Sequence, residues 1–368
     1  MISKQVIFFL IIIFIFGIII FFKNRSKFWY YQPVSFRKND SNDISHNNIL
    51  SNGRSIKLYN SKIQDVKLFN NDINDFLDKI ILFLNENYDD DLFFNKQDLL
   101  FLSNTHFSKE ILFNLLILDN KIIGSIFYKI YSINYYDKKV NIITVDLGCV
   151  LKKFRNKTLF PYLIETGILT LKDKKLEFGI HKKDRYPLSI QEHSKYSYNY
   201  LIIDKMKKYA NYNIKIDTNP IISNDIYLRS MNDLRKKQIY FDFTEEQFKK
   251  EFTTNNVVKT ILYKENNKYI LLNGFIQTYR KDNKYELTFE IRYIFHSILE
   301  KNSLEKILGK LLYNIFIDYK VQYIMYQNIG NNIILDDLYD FINGHSTYLY
   351  LYNQKYREIK KEDFYFFF

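Results

Sequence analysis

Hydrophobic residues recur along the chain in two spacings, which predict alternating strands and helices. Apolar residues three and four positions apart predict helices over 72–87, 158–171, 244–252 and 302–318. Apolar and β-branched runs bounded by polar turns predict strands over 111–118, 122–133, 140–150, 257–263, 268–277 and 285–295. Strands followed by a helix in each half predict an α+β fold and permit two similar halves.

The N-terminal region carries a continuous apolar run. Residues 6–22 contain no charged side chain and would form about 26 Å of helix, the short end of a membrane span. Lys23, Arg25 and Lys27 follow the run where a signal peptide would have a cleavage site, which favours an uncleaved anchor over a signal peptide. These cations predict a single-pass membrane protein with the rest of the chain in the cytosol.

Composition narrows the classes of function. The 368 residues include 53 Lys and Arg against 41 Asp and Glu, a net charge of +12. This excess of positive charge either reflects a Lys-rich composition or indicates that the protein binds an anionic ligand or a membrane surface. One cysteine excludes a disulfide framework and a multi-cysteine metal site, and the six histidines show no metal-ligand spacing. Without zinc-finger, leucine-zipper or RNA-binding motifs, no nucleic-acid partner is expected.

A basic turn joins the strand predicted at 140–150 to the helix predicted at 158–171. It carries Lys152, Lys153, Arg155 and Lys157. Because a helix N-terminus presents unpaired N–H groups and a partial positive charge, the turn is a candidate phosphate site. A solvated basic turn is the alternative, and the glycines of a Walker loop are absent.

Five segments, in the same order, resemble motifs of the N-myristoyltransferase family. The longest is 146–157, DLGCVLKKFRNK, which resembles the family's NFLCVHKKLRSK. The others are FWYYQPV at 28–34, LNENYDDD at 84–91, FTEE at 243–246 and LYLYNQK at 349–355. The resemblance covers nearly the whole chain beyond the apolar run.

The resemblance implies a fold and a reaction. It implies two GNAT-like (acyl-CoA N-acyltransferase) halves in one saddle-shaped sheet, preceded here by one transmembrane helix. The expected division is an anchor with its basic flank at 1–27, an acyl-CoA-binding half at 28–212, and a half at 213–368 with the peptide groove and the C-terminal carboxylate. The implied enzyme is a glycylpeptide N-tetradecanoyltransferase. It would pass a myristoyl group from myristoyl-CoA, a co-substrate rather than a resident cofactor, to the N-terminal glycine of proteins.

The resemblance also assigns roles to residues. Backbone amides of Leu147 and Gly148 would stabilise the oxyanion, and the α-carboxylate of Phe368 would be the base. Glu177 falls where the family has a threonine that assists the amine. It could support the base or hold the ammonium, or be a surface carboxylate. CoA-binding positions would be Phe28, Trp29, Val150, Arg155, Asn156, Lys157, Thr158 and Leu159. Peptide-binding positions would be Tyr88, Asp89, Asp90, Asp91, Phe93 and His193.

Alternatives remain open for several of these residues. Asp89–Asp91 would suit a substrate with a nearby lysine, or form a solvated turn, and His193 could be a surface residue. Cys149 is expected to be a buried small hydrophobe.

Departures from the family pattern keep two other functions open. Asp146 replaces the family's Asn, Gln354 replaces a Trp, and Thr158 replaces a cation. They permit an inactive membrane scaffold that binds acyl-CoA or acylated peptides. A short-chain or lysine N-acyltransferase is the other alternative. A monomer is expected.

Overall fold

The computed structural model describes residues 57–88, 92–97, 99, 110–155, 157–176, 178–185, 187–188, 192–281, 284–352 and 358–365. The strands are β1 (Gln64–Phe69), β2 (Leu92–Phe93), β3 (Glu110–Leu118), β4 (Lys121–Tyr135), β5 (Lys138–Val150), β6 (Phe178–Asp184), β7 (Ser194–Leu201), β8 (Ile216–Asp217), β9 (Ile239–Tyr240), β10 (Val258–Glu265), β11 (Lys268–Lys281), β12 (Lys284–His296), β13 (Tyr323–Gln327), β14 (Ile342–Tyr352) and β15 (Phe364–Tyr365). The α-helices are α1 (Leu77–Asn87), α2 (Leu159–Thr170), α3 (Ile203–Met206), α4 (Asn224–Leu234), α5 (Glu245–Glu251), α6 (Lys301–Tyr319) and α7 (Ile334–Leu338). Short 3-10 helices span Asn70–Phe76, Lys152–Phe154, Lys172–Lys174, Lys207–Tyr209, Gly330–Ile333 and Lys361–Asp363.

All described strands belong to one sheet, in the order β1-β3-β4-β5-β6-β14-β7-β13-β12-β11-β10-β8, with β2, β9 and β15 attached at its sides. The same succession of elements occurs twice along it. The antiparallel meander β3-β4-β5 leads through α2 to β6, which is parallel to β5. The meander β10-β11-β12 leads through α6 to β13, which is parallel to β12. The expected α+β fold with one large sheet is confirmed.

The last strand of each unit pairs with the other unit. β7 follows β6 in the chain but pairs with β13, and β14 follows β13 but pairs with β6. β7 and β14 also pair with each other at the middle of the sheet. The division at 212/213 stays a prediction. Strands from the two sides of it pair with each other in the sheet.

Helices cover both faces of the first unit. Along α2, Leu159, Leu163, Ile164 and Ile168 form an apolar stripe that packs on Ile126 and Tyr128 of β4. On the opposite face, α1 buries Leu77, Ile80 and Leu84 against Phe113 and Phe127. The predicted helix over 72–87 is therefore found, although its first turns are 3-10 rather than α.

The end of the described chain is buried in the core between the two units. β15 pairs in parallel with β9, and Phe364 and Tyr365 are fully buried. The Tyr365 hydroxyl accepts from the Ile294 N–H at 2.7 Å and donates to Asn332 Oδ1 at 3.0 Å. Up to Tyr365 the C-terminal segment is therefore integrated into the fold.

The predicted anchor at 6–22 lies outside the described residues. Within the described part of the chain, no helix is long and apolar enough to cross a membrane.

Candidate functional site

A bulge interrupts strand β5 where the sequence places the oxyanion residues. Phe127 of β4 pairs with Asp146, and Ser125 pairs with Cys149, so Leu147 and Gly148 together face a single β4 residue. Leu147 has φ +48°, a left-handed conformation that is costly for a branched residue. Its side chain is buried beside α1, and such burial holds the bulge in place.

Beyond this point β5 and β6 separate. The two parallel strands pair over Ile142–Val145, while β5 continues to Val150 without β6 beside it. On its other edge, β6 pairs with β14 as far as Asp184. Among the described strands, none lies beside this edge of β5 at residues 146–150, so the edge is a candidate position for a ligand.

The Leu147 amide already has a partner inside the protein. Its N–H donates to Asp146 Oδ1 at 2.8 Å, and its carbonyl accepts from the Ser125 hydroxyl at 3.3 Å. A carboxylate therefore occupies one of the two amides predicted to face an oxyanion. An asparagine at this position would offer a neutral oxygen instead.

Gly148 is required by the ring that lies against it. A Cβ built on Gly148 would approach the Phe160 ring to 2.5 Å. Phe160 belongs to the first turn of α2. The missing side chain therefore lets the helix start directly beside the bulge.

The basic turn connects these two features and is fixed by Arg155. The Arg155 Nε donates to the Val150 carbonyl at 3.0 Å, and Nη2 donates to the Asn87 carbonyl at 3.2 Å. Its backbone N–H donates to the Lys152 carbonyl. Arg155 therefore braces the turn against the end of α1, and its amide is not open to a phosphate as expected from sequence.

The N-terminus of α2 is open. Thr158, its N-cap, has φ +59° and provides no side-chain cap, because its hydroxyl donates back to the Lys157 carbonyl. Leu159 and Phe160 then carry first-turn N–H groups without helical acceptors, whereas Pro161 carries none. Lys152, Lys153 and Lys157 are exposed around them.

The matching helix of the second unit is closed at this position. Glu300, the N-cap of α6, accepts from the Ser303 N–H at 2.9 Å through its own carboxylate. The N-terminus of α6 therefore carries a carboxylate of its own, which opposes the binding of an anion, whereas that of α2 does not.

An apolar recess lies beside the paired parts of β5 and β6, next to α2. Its cavity volume is about 30 Å³, between β5, β6, α2 and β14. Ile143, Val145, Ile164, Ile168 and Leu351 supply apolar walls. His181 also lines it, and burial lowers the pKa of its imidazole to about 4, so the ring is neutral at pH 7.

A layer of buried charges crosses the middle of the sheet. Arg292 of β12 forms an ion pair with Glu251 at the end of α5, and both side chains are buried. Burial raises the pKa of Glu251, while the guanidinium acts in the opposite direction. Glu290 accepts from Gln327 Nε2 at 3.0 Å, and burial raises the pKa of that carboxyl as well.

Two of the predicted peptide-binding residues span the two units. Tyr88 ends α1 beside the basic turn and packs edge-on against Phe94. Phe93 lies in β2, paired with Thr278 of β11, and its ring contacts Tyr285. Tyr88 therefore lies in the first unit and Phe93 beside the second, and their peptide-binding role stays a prediction.

The prediction that His193 contacts a peptide is wrong for this structure. His193 is only 2% exposed. Its N–H donates to the Leu349 carbonyl, its carbonyl accepts from Ile359, and Nδ1 accepts from the Leu351 N–H at 3.2 Å. These bonds tie β14 and the C-terminal segment to the sheet. The prediction that Cys149 is buried is confirmed.

Other predicted positions lie outside the described residues. They are Phe28, Trp29, Asp89, Asp90, Asp91, Asn156, Glu177, Gln354 and Phe368. The charged layer and the apolar recess could not be predicted from the sequence, because both join residues far apart in the chain. Among the described residues no group of His, Cys, Asp and Glu is arranged to hold a metal ion.

Comparison with known proteins identifies the fold. No family model and no curated protein matches this chain. Solved structures do: three of Saccharomyces cerevisiae N-myristoyltransferase match with TM-scores of 0.71, 0.70 and 0.72 at 15%, 14% and 16% identity. Each match covers 91% of this chain, and 90%, 94% and 91% of the yeast chain. Two of these structures contain bound myristoyl-CoA, and the third contains myristoyl-CoA and inhibitors. The resemblance seen in five short motifs is thus confirmed at the level of the fold.

Proposed function

We propose that the protein transfers a fatty acyl group, myristoyl in the first instance, from acyl-CoA to the N-terminal glycine amine of protein substrates. The observation that carries this proposal is the unpaired β5 edge at the bulge, adjoining the open N-terminus of α2 and its lysines. A thioester and a phosphate group can be held there together. The yeast structures of the same fold contain myristoyl-CoA, which supports this class of ligand.

In this arrangement the phosphates of CoA would meet the amides of Leu159 and Phe160. Lys152, Lys153 and Lys157 would add charge-assisted contacts. The thioester would lie along β5 at the bulge. Each acyl methylene buried in the protein would contribute about 0.8 kcal/mol to binding.

The acyl transfer itself needs a base and an oxyanion site. The substrate's glycine ammonium loses a proton, its nitrogen attacks the thioester carbon, and the oxyanion forms against the amides of Leu147 and Gly148. The C–S bond then breaks, and the CoA thiolate is protonated as the amide is released. The α-carboxylate of Phe368 remains the proposed base. Tyr365, three residues earlier, is buried near the centre of the sheet, which supports this.

The test is transfer by the full chain, kept in detergent, from myristoyl-CoA to a peptide beginning Gly-x-x-x-Ser. An N-acetylated copy of the peptide is the control. We expect mass spectrometry to show a myristoyl adduct on the free-glycine peptide alone. Adducts on both peptides, or on neither in a folded sample, would contradict the proposal.

A second candidate function is supported by the Asp146 contact. A carboxylate that holds the Leu147 N–H weakens an oxyanion site and favours a protein that binds acyl-CoA without turning it over. This candidate predicts micromolar or tighter myristoyl-CoA binding with no adduct in the same assay.

We also propose that residues 6–22 anchor the enzyme so that acylation occurs at a membrane surface facing the cytosol. One myristoyl chain gives only marginal membrane binding, so acylation at the membrane would aid delivery. Fractionation of cells expressing the full chain or a chain lacking 1–23 tests this. Equal recovery of both in the soluble fraction would contradict it.

A further inference from the structure

The hydroxyl of Tyr128 fastens helix α2 to the sheet. Tyr128 belongs to β4 and is fully buried beneath the helix. Its hydroxyl donates to the Leu163 carbonyl at 2.8 Å and lies 3.3 Å from the Ile164 carbonyl. Burial raises the pKa of the phenol, so the hydroxyl remains a donor at neutral pH. Helix carbonyls ordinarily accept from N–H groups of the next turn, so this hydrogen bond is an additional tie between sheet and helix.

Gly167 makes room for this contact. A Cβ built on Gly167 would collide with the Tyr128 ring, which therefore lies directly against the helix backbone. Asn114 of β3 provides a second tie, because its amide donates to Thr166 Oγ1 at 2.9 Å and to the Leu163 carbonyl at 3.3 Å. Apolar packing is not directional, whereas hydrogen bonds are. These two side chains therefore fix how far α2 can slide or turn on the sheet.

Tyr128 lies between the two parts of the proposed acyl-CoA site. Its neighbour in β4, Phe127, pairs with Asp146 at the start of the bulge. Its partner Leu163 is the fifth residue of α2, about 6 Å along the helix from the first residue. A movement of α2 on the sheet would therefore change the separation between the amides at the bulge and the open helix N-terminus.

The related helix α6 has a similar contact of different origin. Tyr339 donates at 2.7 Å to the carbonyl of Glu305, which is the fifth residue of α6. Gly309, the ninth residue of α6 as Gly167 is of α2, lies against the ring of Tyr209. Of the three tyrosines that contact these helices in this way, only that of the first unit belongs to a strand. The position of α2 is thus tied to the sheet that carries the bulge.

We propose that Tyr128, supported by Asn114, is a positioning residue for acyl-CoA: its hydroxyl holds α2 at the distance from the bulge at which the phosphate and the thioester bind together. Tyr128 acts through the backbone of α2 and does not touch the ligand. The inference rests on the proposed function, because it takes the N-terminus of α2 as the phosphate position. In Tyr128→Phe the ring still fills the space beside Gly167, but the directional tie is lost.

The experiment compares two ligands that differ by one phosphate. They are S-octanoyl-pantetheine and its 4′-phosphorylated form, and calorimetry measures their binding to the full chain in detergent without acceptor peptide. The dissociation constant of the first divided by that of the second is the phosphate ratio. Tyr128→Phe should lower this ratio by about tenfold, since misplacement by about 1 Å can cost up to about 100-fold. Affinity for the unphosphorylated ligand should change by less than about twofold.

Tyr339→Phe is the matched control, because it removes a buried tyrosine hydroxyl from the corresponding carbonyl of α6. Both substitutions should lower the urea concentration at which half of the protein is unfolded. Only Tyr128→Phe should lower the phosphate ratio, which a purely structural role would leave unchanged. Equal changes of the ratio in the two variants, or no change in Tyr128→Phe, would overturn the proposal.

Thr166→Val decides the question should Tyr128→Phe not fold. It removes the hydroxyl that accepts from Asn114 and should lower the phosphate ratio by about threefold, the order of one hydrogen bond. An unchanged ratio in that variant would then overturn the proposal.

The wild-type ratio separates this inference from the proposed function. A ratio near one, or no binding of the phosphorylated ligand, would show that α2 presents no phosphate site and would overturn the inference even if acyl transfer succeeds. The acylation assay with the free-glycine peptide decides the proposed function independently.

Discussion

At the scale of single residues, the bulge in β5 bears on the proposed stabilisation of an oxyanion. The resemblance to the N-myristoyltransferase family assigns Leu147 and Gly148 to this role. The structure adds the competing acceptor, Asp146, at 2.8 Å from the Leu147 nitrogen. A negative charge at that distance opposes a developing oxyanion as well as occupying the amide.

Replacing Asp146 by Asn should therefore increase turnover. The change removes the charge and leaves a weaker acceptor, so we expect kcat to rise by about tenfold, the order of half an oxyanion-hole donor. Myristoyl-CoA affinity should change by less than twofold. Asp184→Asn, a nearby carboxylate on β6, is the control and should not raise kcat. A fall in kcat for Asp146→Asn would instead make the carboxylate part of the catalytic machinery.

His181 gives a prediction on pH. Its pKa of about 4 lies below the unfolded value of about 6.5, so the unfolded chain binds the extra proton between these limits. Stability should consequently fall as pH drops from about 6.5 to 4, by at most about 3 kcal/mol from this group. Urea unfolding of wild type and His181→Gln across this range measures the difference. Parallel curves for the two proteins would show that His181 is not responsible.

At this scale, the roles that the sequence does not predict depend on contacts between residues far apart in the chain. The basic turn was found from its charge, but the role of Arg155 depends on the Asn87 carbonyl, 68 residues away. His193 matched a family position, yet its burial follows from β14, which pairs from the other unit. Lys129 is a charged residue in an otherwise apolar strand, and the sequence alone does not show that it lies opposite Thr144.

At the scale of elements, the two related helices show why only the first unit is proposed to bind CoA. α2 starts with a left-handed Thr158 and no side-chain cap, whereas α6 starts with Glu300, whose carboxylate accepts from the Ser303 N–H. Both helices follow a meander and precede a parallel strand. The difference therefore lies in one N-cap residue and the lysines around it, not in the topology.

Exchanging the two caps tests this reading. Thr158→Glu should place a carboxylate at the phosphate position and weaken myristoyl-CoA binding by at least tenfold, measured by calorimetry. Glu300→Thr should leave that affinity unchanged and cost about 1 kcal/mol of stability or less. Equal effects of the two substitutions would remove the α2 N-terminus from the binding site.

Several elements with a clear period were predicted closely, whereas β7 and the amphipathic helix α4 were missed. The strand predicted over 140–150 is Lys138–Val150, and the helix predicted over 302–318 is Lys301–Tyr319. β7 has the sequence SKYSYNYL, in which polar residues such as Ser194 and Asn199 are as buried as the tyrosines. A strand buried on both faces lacks the polar–apolar alternation that identifies strands in a sequence.

At the scale of the whole molecule, the exchange of β7 and β14 makes the two units interdependent. β6, the fourth strand of the first unit, pairs with β14, and β13, the fourth strand of the second unit, pairs with β7. The apolar cluster around Phe248, Tyr293 and Tyr365 also includes Tyr131 and Ile142 of the first unit. A fragment of one unit would leave the edge of β6 or β13 unpaired and expose part of this cluster.

We therefore expect fragments 1–212 and 213–368 to fold only together. Expressed separately in detergent, each should lack the sharp thermal transition of the full chain, because neither can pair its inner strand. Co-expressed, they should form a one-to-one complex in which backbone amides of β6 and β13 are as protected from hydrogen exchange as in the full chain. Light scattering and hydrogen exchange measure both quantities. A fragment 1–212 that unfolds cooperatively by itself would show that β14 is dispensable, and that the first unit is an independent domain.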